Sequence, residues 1–409
     1  MPRRSSVGED TAARDDPARH GLGTRAVHPP SPPPQDGNPV APVLDPSSTY
    51  HFSDAAAFAK ASEAKVGAGY VYSRWANPTV DAFEAAVADL EGTADAEAFA
   101  SGMGAITGIF LGLCSAGDRI VAARQLYGGT YSMLATLLPR YGIGVDFVDV
   151  DDLRGIEQAV AGATLLYCET IGNPRIKVAD IPKLAAVADK ASVPLVVDNT
   201  FASPMLCRPV EHGAGLVVHS ATKFLGGHHD LLGGIACGSP SILEPIRETA
   251  REMGASLAPF NAWLALRGVA TMHLRVTRSC ESALAVARAL EARPEIEAVH
   301  YPALDSSPDK HLADALLGGR GGGTLAFEIA DGRERAARFQ EALRVIKPAA
   351  SLGGSHSLIV HAASVTHTQL SDAELAAAGI SEGFCRLSIG LEDVDDIIDD
   401  LAQALDATA

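Results

Sequence analysis

The stretch Val217–Gly227, V-V-H-S-A-T-K-F-L-G-G, constrains this chain most. Leu216, Val217 and Val218 suit a buried strand, after which the chain turns polar at His219, Ser220 and Thr222 and presents Lys223 before paired glycines. A lysine at the mouth of a strand, among hydroxyls and small residues, is desolvated and can offer a neutral amine to an aldehyde. Taken alone, the same pattern fits a surface lysine at a strand exit. A second stretch, P-L-V-V-D-N-T-F-A-S-P at Pro194–Pro204, changes that reading: it ends another buried strand in Asp198, 25 residues before Lys223. Ligands of open α/β sheets bind beyond the carboxyl ends of strands. A carboxylate on one strand end and a lysine on the next are what pyridoxal phosphate requires, the first for its ring nitrogen and the second for its aldehyde.

A chain of 409 residues exceeds one ordinary core and calls for a large domain and a smaller one. A net charge of −17 argues against a nucleic-acid partner, and no apolar run reaches membrane-spanning length. Six cysteines without CxxC spacing read as reduced core thiols in a cytoplasmic protein. The first 25 residues lack an apolar signal core. His356, His361 and His367, like His228-His229-Asp230, lack helical ligand spacing, so no metal site is expected.

In order, residues 1–20 read as disordered, and a proline-rich arm over residues 28–46 is expected to lie across a neighbouring subunit. A helix is expected at Ser53–Lys65, capped by Ser53, then an aromatic, basic loop holding Tyr72 and Arg74, then a helix at Val80–Leu90. Ser101, Gly102 and Met103 open an apolar helix whose amino end can attract an anion; ordinary close packing is the plain alternative. Strands at Arg119–Ala122, Val145–Val150 and Leu165–Glu169 alternate with helices at Tyr131–Tyr141, Leu153–Ala161 and Ile181–Lys190, the rhythm of a mostly parallel α/β sheet. One long helix is expected over Ala262–Glu291, with Trp263 in the core. Strands at Thr324–Ile329 and Arg386–Ile389 and helices at Arg333–Leu343 and Val394–Leu405 follow. The expected units are an arm over 1–65, a large domain over 66–264 and a small α/β domain over 265–409.

With these motifs in their order, residues 40–400 resemble the cystathionine γ-synthase/γ-lyase family of Cys/Met-metabolism enzymes, which have the type I fold of pyridoxal-phosphate enzymes. The resemblance implies that Lys223 carries the cofactor and Asp198 pairs with its ring nitrogen. It implies that Ser101, Gly102, Met103, Ser220 and Thr222 hold the phosphate, joined by Tyr72 and Arg74 from an adjacent subunit. Tyr127 would stack on the ring, and Asn173, near Glu169, would touch cofactor and substrate. The runs Ser351–Gly354 and Arg386–Glu392, with Ser351, Leu352 and above all Arg386, would hold the substrate carboxylate. A bidentate arginine suits a planar carboxylate better than a lysine does. Lys223 and Tyr127 would move protons, Tyr127 to the departing group. A homotetramer of dimers with shared sites is implied as well.

The chain departs from the family at two places. Methionine γ-lyases commonly carry a cysteine after Tyr-Gly, where this chain has Gly129. Many members carry a glutamate two places beyond S-L-G-G, where this chain has His356, either a substrate contact or a packing residue. The expected reaction is γ-elimination from a methionine- or homoserine-like amino acid, giving a 2-oxo acid, ammonia and the leaving group. The alternative is γ-replacement on an acylated homoserine. A non-catalytic protein of the same fold is the reading from another class, and the joint presence of Lys223 and Asp198 opposes it.

Overall fold

The computed structural model describes residues 20–31, 36–63, 69–365 and 380–408. Residues 1–19, Lys65 and His367 therefore lie outside the described residues.

Seven strands build the larger sheet: β1 (Asp95–Phe99), β2 (Arg119–Ala123), β3 (Gly144–Val148), β4 (Leu165–Glu169), β5 (Leu195–Asp198), β6 (Leu216–Ser220) and β7 (Gly234–Gly238). Their order across the sheet is β1-β7-β6-β5-β4-β2-β3. β3, β2, β4, β5 and β6 pair in parallel, and only β7 runs against its neighbours. β5 follows Pro194 and is buried along its length, as expected of a Leu-Val-Val strand covered on both faces. In the β5–β6 register Asp198 stands opposite Val218, and in the β4–β5 register Glu169 stands opposite Asp198. Two crossover connections between parallel strands thus bring Glu169, Asp198 and the Lys223 loop to one edge.

The second sheet contains β8 (Ile296–His300), β9 (Thr324–Ile329), β10 (Lys347–Pro348), β11 (Leu358–His361) and β12 (Phe384–Ser388), in the order β8-β9-β12-β11-β10. Each sheet has its own apolar core. Helix Met272–Glu291 belongs to both: Met272, Val276 and Cys280 enter the first core, and Ala283, Val286, Ala287 and Leu290 the second. All six cysteines are buried and unpaired.

Several expected boundaries are corrected. The helix read at Ser53–Lys65 spans Ala55–Glu63, and Asp54, not Ser53, caps it by accepting the Ala57 N–H at 2.8 Å. The Val80–Leu90 helix begins at Pro78, with the Asn77 side chain as cap. The expected helix Tyr131–Tyr141 starts at Gly128, then loosens to a wide turn at Met133–Leu137 and a tight one at Leu138–Tyr141. Pro139 has no N–H to offer the carbonyl four residues earlier, so regular α-helix cannot continue. The single helix read over Ala262–Glu291 is two, Pro259–Val269 and Met272–Glu291. Between them the Gly268 carbonyl accepts the Thr271 N–H at 3.2 Å and an Arg275 guanidinium nitrogen at 2.5 Å, which ends the first helix. Trp263 is not a core residue: half-buried, it donates from Nε1 to the Pro42 carbonyl at 3.0 Å and pins the arm.

The same junction braces the lysine loop. Arg275 also donates to the Phe224 carbonyl at 2.9 Å, and Gly268 lies against the Gly226 carbonyl with no room for a side chain. Gly268→Ala should therefore force the helix off the loop at a cost of about 1–3 kcal/mol. A lowered thermal midpoint checks this, and an unchanged midpoint would contradict the packing.

Candidate active site

Lys223 follows β6 by three residues, its main chain anchored by the Ser220 carbonyl at 3.1 Å. Its amine donates to Ser351 Oγ at 2.8 Å, a contact across 128 residues. Burial, and then the positive charge of Arg386, lower its pKa to about 8. Ser351 has a left-handed backbone, φ 93°, which a residue with a side chain adopts at a cost. That geometry turns its hydroxyl to Lys223 while its carbonyl accepts from Arg386 at 3.2 Å.

Arg386 lies on β12, is buried, and donates to Asn173 Oδ1 at 2.8 Å. Its Nε is buried with no hydrogen-bond partner, and burial lowers its pKa to about 10. Leu352, next to Ser351, is buried. An arginine held at two nitrogens with a third donor unmatched keeps capacity for one more acceptor.

Asp198 is buried as well. Its carboxylate accepts from the Thr200 N–H at 3.0 Å and the Tyr167 hydroxyl at 3.3 Å, neither a cation. Burial raises its pKa, and burial together with the charge of Asp198 raises that of Glu169 well above the usual range. Glu169 is spent on architecture: one oxygen accepts the Tyr127 N–H at 2.6 Å and the other the Asn173 N–H at 3.1 Å. It ties the loops of Tyr127 and Asn173 to the end of β4.

Ser101 caps helix Gly102–Leu113 by accepting the Gly104 N–H at 3.0 Å. A side chain on Gly102 would stand 2.7 Å from Ser220 Cβ, so the helix start meets the end of β6 directly. Thr222 exchanges hydrogen bonds with the Gly233 main chain on the same side. Tyr127 is half-exposed. A side chain on Gly129 would come within 2.6 Å of its ring and 3.3 Å of Met103 Sδ, which places Tyr127 beside the same helix start. His356 is exposed beyond the Ser351–Gly354 turn.

Tyr72 and Arg74 stand apart from this group. Arg74 lies over the Tyr72 ring at 5.7 Å, donates to the Arg251 carbonyl at 2.9 Å, and lines a cavity of about 700 Å³ whose walls do not include Lys223. Glu392, the last residue of the Arg386 run, is engaged below the site by the Ser357 N–H and hydroxyl at 2.7 and 2.9 Å. Thr200 and Tyr167, the direct partners of Asp198, were not singled out by sequence reasoning. The D-N-T run was a usable signal for the first, while the second depends on register alone. Asp45 is a node of the arm: it receives bonds from Ser47, Tyr50 and Asn77, and its N–H reaches Thr79. Among the described residues no three His, Cys, Asp or Glu side chains gather as a metal site, and no helix is long and apolar enough to cross a membrane.

The two-sheet fold, with a half-buried lysine near a buried, cation-free carboxylate and a helix start, defines a pyridoxal-phosphate enzyme of type I fold. An L-methionine γ-lyase of Pseudomonas putida is 41% identical over 392 residues, covering 95% of this chain and 98% of the relative. An O-acetyl-L-homoserine sulfhydrylase of Leptospira meyeri is 40% identical, covering 82% and 86%. A solved Campylobacter jejuni structure that carries N'-pyridoxyl-lysine-5'-monophosphate superposes with a TM-score of 0.89 at 33% identity, over 95% of this chain and 100% of that one. Residues 23–406 match the Cys/Met metabolism PLP-dependent enzyme family, and the chain belongs to it.

The state of Lys223 is open to measurement. Only the neutral amine attacks an aldehyde, so apoprotein should take up pyridoxal phosphate at a rate that rises with pH and levels off above about 8. Stopped-flow absorbance checks this; a rise continuing toward the value of an exposed lysine would contradict the burial.

Proposed function

We propose that the chain catalyses γ-elimination on a γ-substituted L-amino acid of the methionine or homoserine type, releasing a 2-oxo acid, ammonia and the leaving group. The observation that carries this reading is the contact of Lys223 with Ser351 and of Ser351 with Arg386, which joins an amine of lowered pKa to a carboxylate receptor. When bound, pyridoxal phosphate supplies an electron sink for negative charge at Cα. Asp198 holds a proton at the ring nitrogen, whose positive charge offsets the desolvation of its own carboxylate. The starts of helix Gly102–Leu113 and of the lysine loop, through Ser101, Gly102, Met103, Ser220 and Thr222, receive the phosphate.

Arg386, with Ser351, Leu352 and Asn173, orients the substrate carboxylate, and His356 borders the side chain. Lys223 moves protons at Cα and Cβ, two neighbouring carbons that one flexible amine can reach. Tyr127 covers the ring and gives a proton to the departing γ-group. Tyr72 and Arg74, remote from Lys223 within their own chain, complete the phosphate site of a second copy. The assembly is a homotetramer of such dimers, and the unpaired cysteines support a cytoplasmic setting.

The second reading is γ-replacement by sulfide or a thiol, favoured by the 40% identity to the Leptospira meyeri sulfhydrylase. Methionine, cystathionine and O-acetylhomoserine, each with and without sulfide, separate the two by mass spectrometry. Elimination predicts 2-oxobutanoate without any added nucleophile, whereas product only in the presence of sulfide would overturn it. Lys223→Ala should abolish turnover by at least about 10³-fold, and activity near wild type would contradict its role. Mixed oligomers of inactive Arg74→Ala and inactive Lys223→Ala chains should recover activity; no recovery would contradict a shared site.

A further inference from the structure

Glu91 and His219 touch beneath the strand tips, fully buried and apart from the reacting groups. Glu91 closes helix Pro78–Glu91, and His219 lies on β6, next to Ser220. His219 Nε2 stands 2.6 Å from Glu91 Oε1, a contact across 128 residues. Asn199 Nδ2 donates to the same oxygen at 2.9 Å, and Thr170 Oγ1 donates to Asn199 Oδ1 at 2.7 Å. Thr170 and Asn199 are buried as well. Successive residues of a strand point to opposite faces, and Asp198 pairs in register with Val218. Asn199 and His219, each one residue further, therefore turn to the helix side. One carboxylate thus gathers the ends of β5 and β6 directly, and that of β4 through Asn199.

The donors around Glu91 fit an ionised pair. A carboxylate can accept from both Asn199 and His219, and the short His219 contact is of the kind that charge strengthens. Glu91 Oε2 is buried with no hydrogen-bond partner. A carboxylic proton placed there would be a second unmatched group, whereas an anion is compensated by the imidazolium it touches. The other titratable groups facing the pair are accounted for. Burial, and then the charge of Glu91, raise the thiols of Cys207 and Cys237, which stay neutral. Arg208, whose guanidinium lies against Gly92, is paired with Glu211 at 2.5 Å. On the far face is Asp198, one strand away. Burial raises its carboxyl, and the positive charge of His219 acts against that burial.

We infer that Glu91 and His219 form a buried ion pair that serves the cofactor: Glu91 keeps the imidazole protonated, and the imidazolium keeps Asp198 charged toward the ring nitrogen. Both are positioning residues, acting through Asp198 from the opposite face of the sheet. The inference rests on Asp198 as the partner of that nitrogen, as proposed above.

Solid-state nitrogen NMR of the holoenzyme tests it without turnover. Pyridoxal phosphate labelled in the ring reports the pyridine proton. Histidine labelling reports His219, identified as the signal lost in His219→Gln. The wild type should show a protonated pyridine nitrogen and a His219 ring with both nitrogens protonated. Glu91→Gln keeps the shape and removes the charge, and should shift the pyridine resonance toward the unprotonated position. His219→Gln should do the same, and the double variant should shift it no further than either single change. A merely structural pair would lower the thermal midpoint and leave the pyridine proton in place. A neutral His219 in the wild type would overturn the inference with no variant needed, and so would a pyridine resonance unmoved in Glu91→Gln. A pyridine already unprotonated in the wild type would overturn the role proposed for Asp198, and this inference with it; the two earlier outcomes strike the ion pair alone.

Discussion

The parallel pairing of β5 with β6 is the constraint on which the rest depends. It sets Asp198 opposite Val218, so that a carboxylate and, five residues on, a lysine leave the same edge of one sheet. Parallel strands of this kind need both faces covered, and the cover is what removes water from their ends. Burial then acts with opposite sign on the two groups. It raises the carboxyl of Asp198 and lowers the amine of Lys223 to about 8, disfavouring charge in each. A cofactor with a basic ring nitrogen and an aldehyde answers both: it brings a cation to the first and a bond for the neutral form of the second.

The second sheet supplies what the first lacks. Arg386 comes from β12 and Ser351 from the turn after β10, and they reach Lys223 across 163 and 128 residues respectively (386 − 223 and 351 − 223). The left-handed backbone of Ser351 places one hydroxyl and one carbonyl on two different cations. Helix Met272–Glu291, rooted in both cores, ties the two sheets together, and its Arg275 braces the lysine loop from beneath. A shift at that helix would therefore be felt at the amine.

What could be read from the sequence was local. Hydrophobic runs ending in Asp198 and before Lys223 announced strand tips, and Ser101 before glycines announced a capped helix. The ends of elements were less legible: the first of the two helices ends where the Gly268 carbonyl is taken by Thr271 and Arg275, which no periodicity in Ala262–Glu291 reveals. Glu169 was noticed only beside Asn173; that it also holds Tyr127 depends on where a loop folds back. The pairing of Glu91 with His219 joins the end of a helix to a strand 128 positions away, and sequence spacing carries no trace of it. Tyr72 and Arg74 show the converse, a motif legible in sequence whose expected target is not reached within its own chain.

A crystal structure of the protein grown with pyridoxal phosphate tests the central claim most directly. The account predicts continuous density from Lys223 Nζ to the cofactor, with the pyridine nitrogen within hydrogen-bond distance of the Asp198 carboxylate. A cofactor bound elsewhere, or a ring whose nitrogen faces away from Asp198, would contradict it.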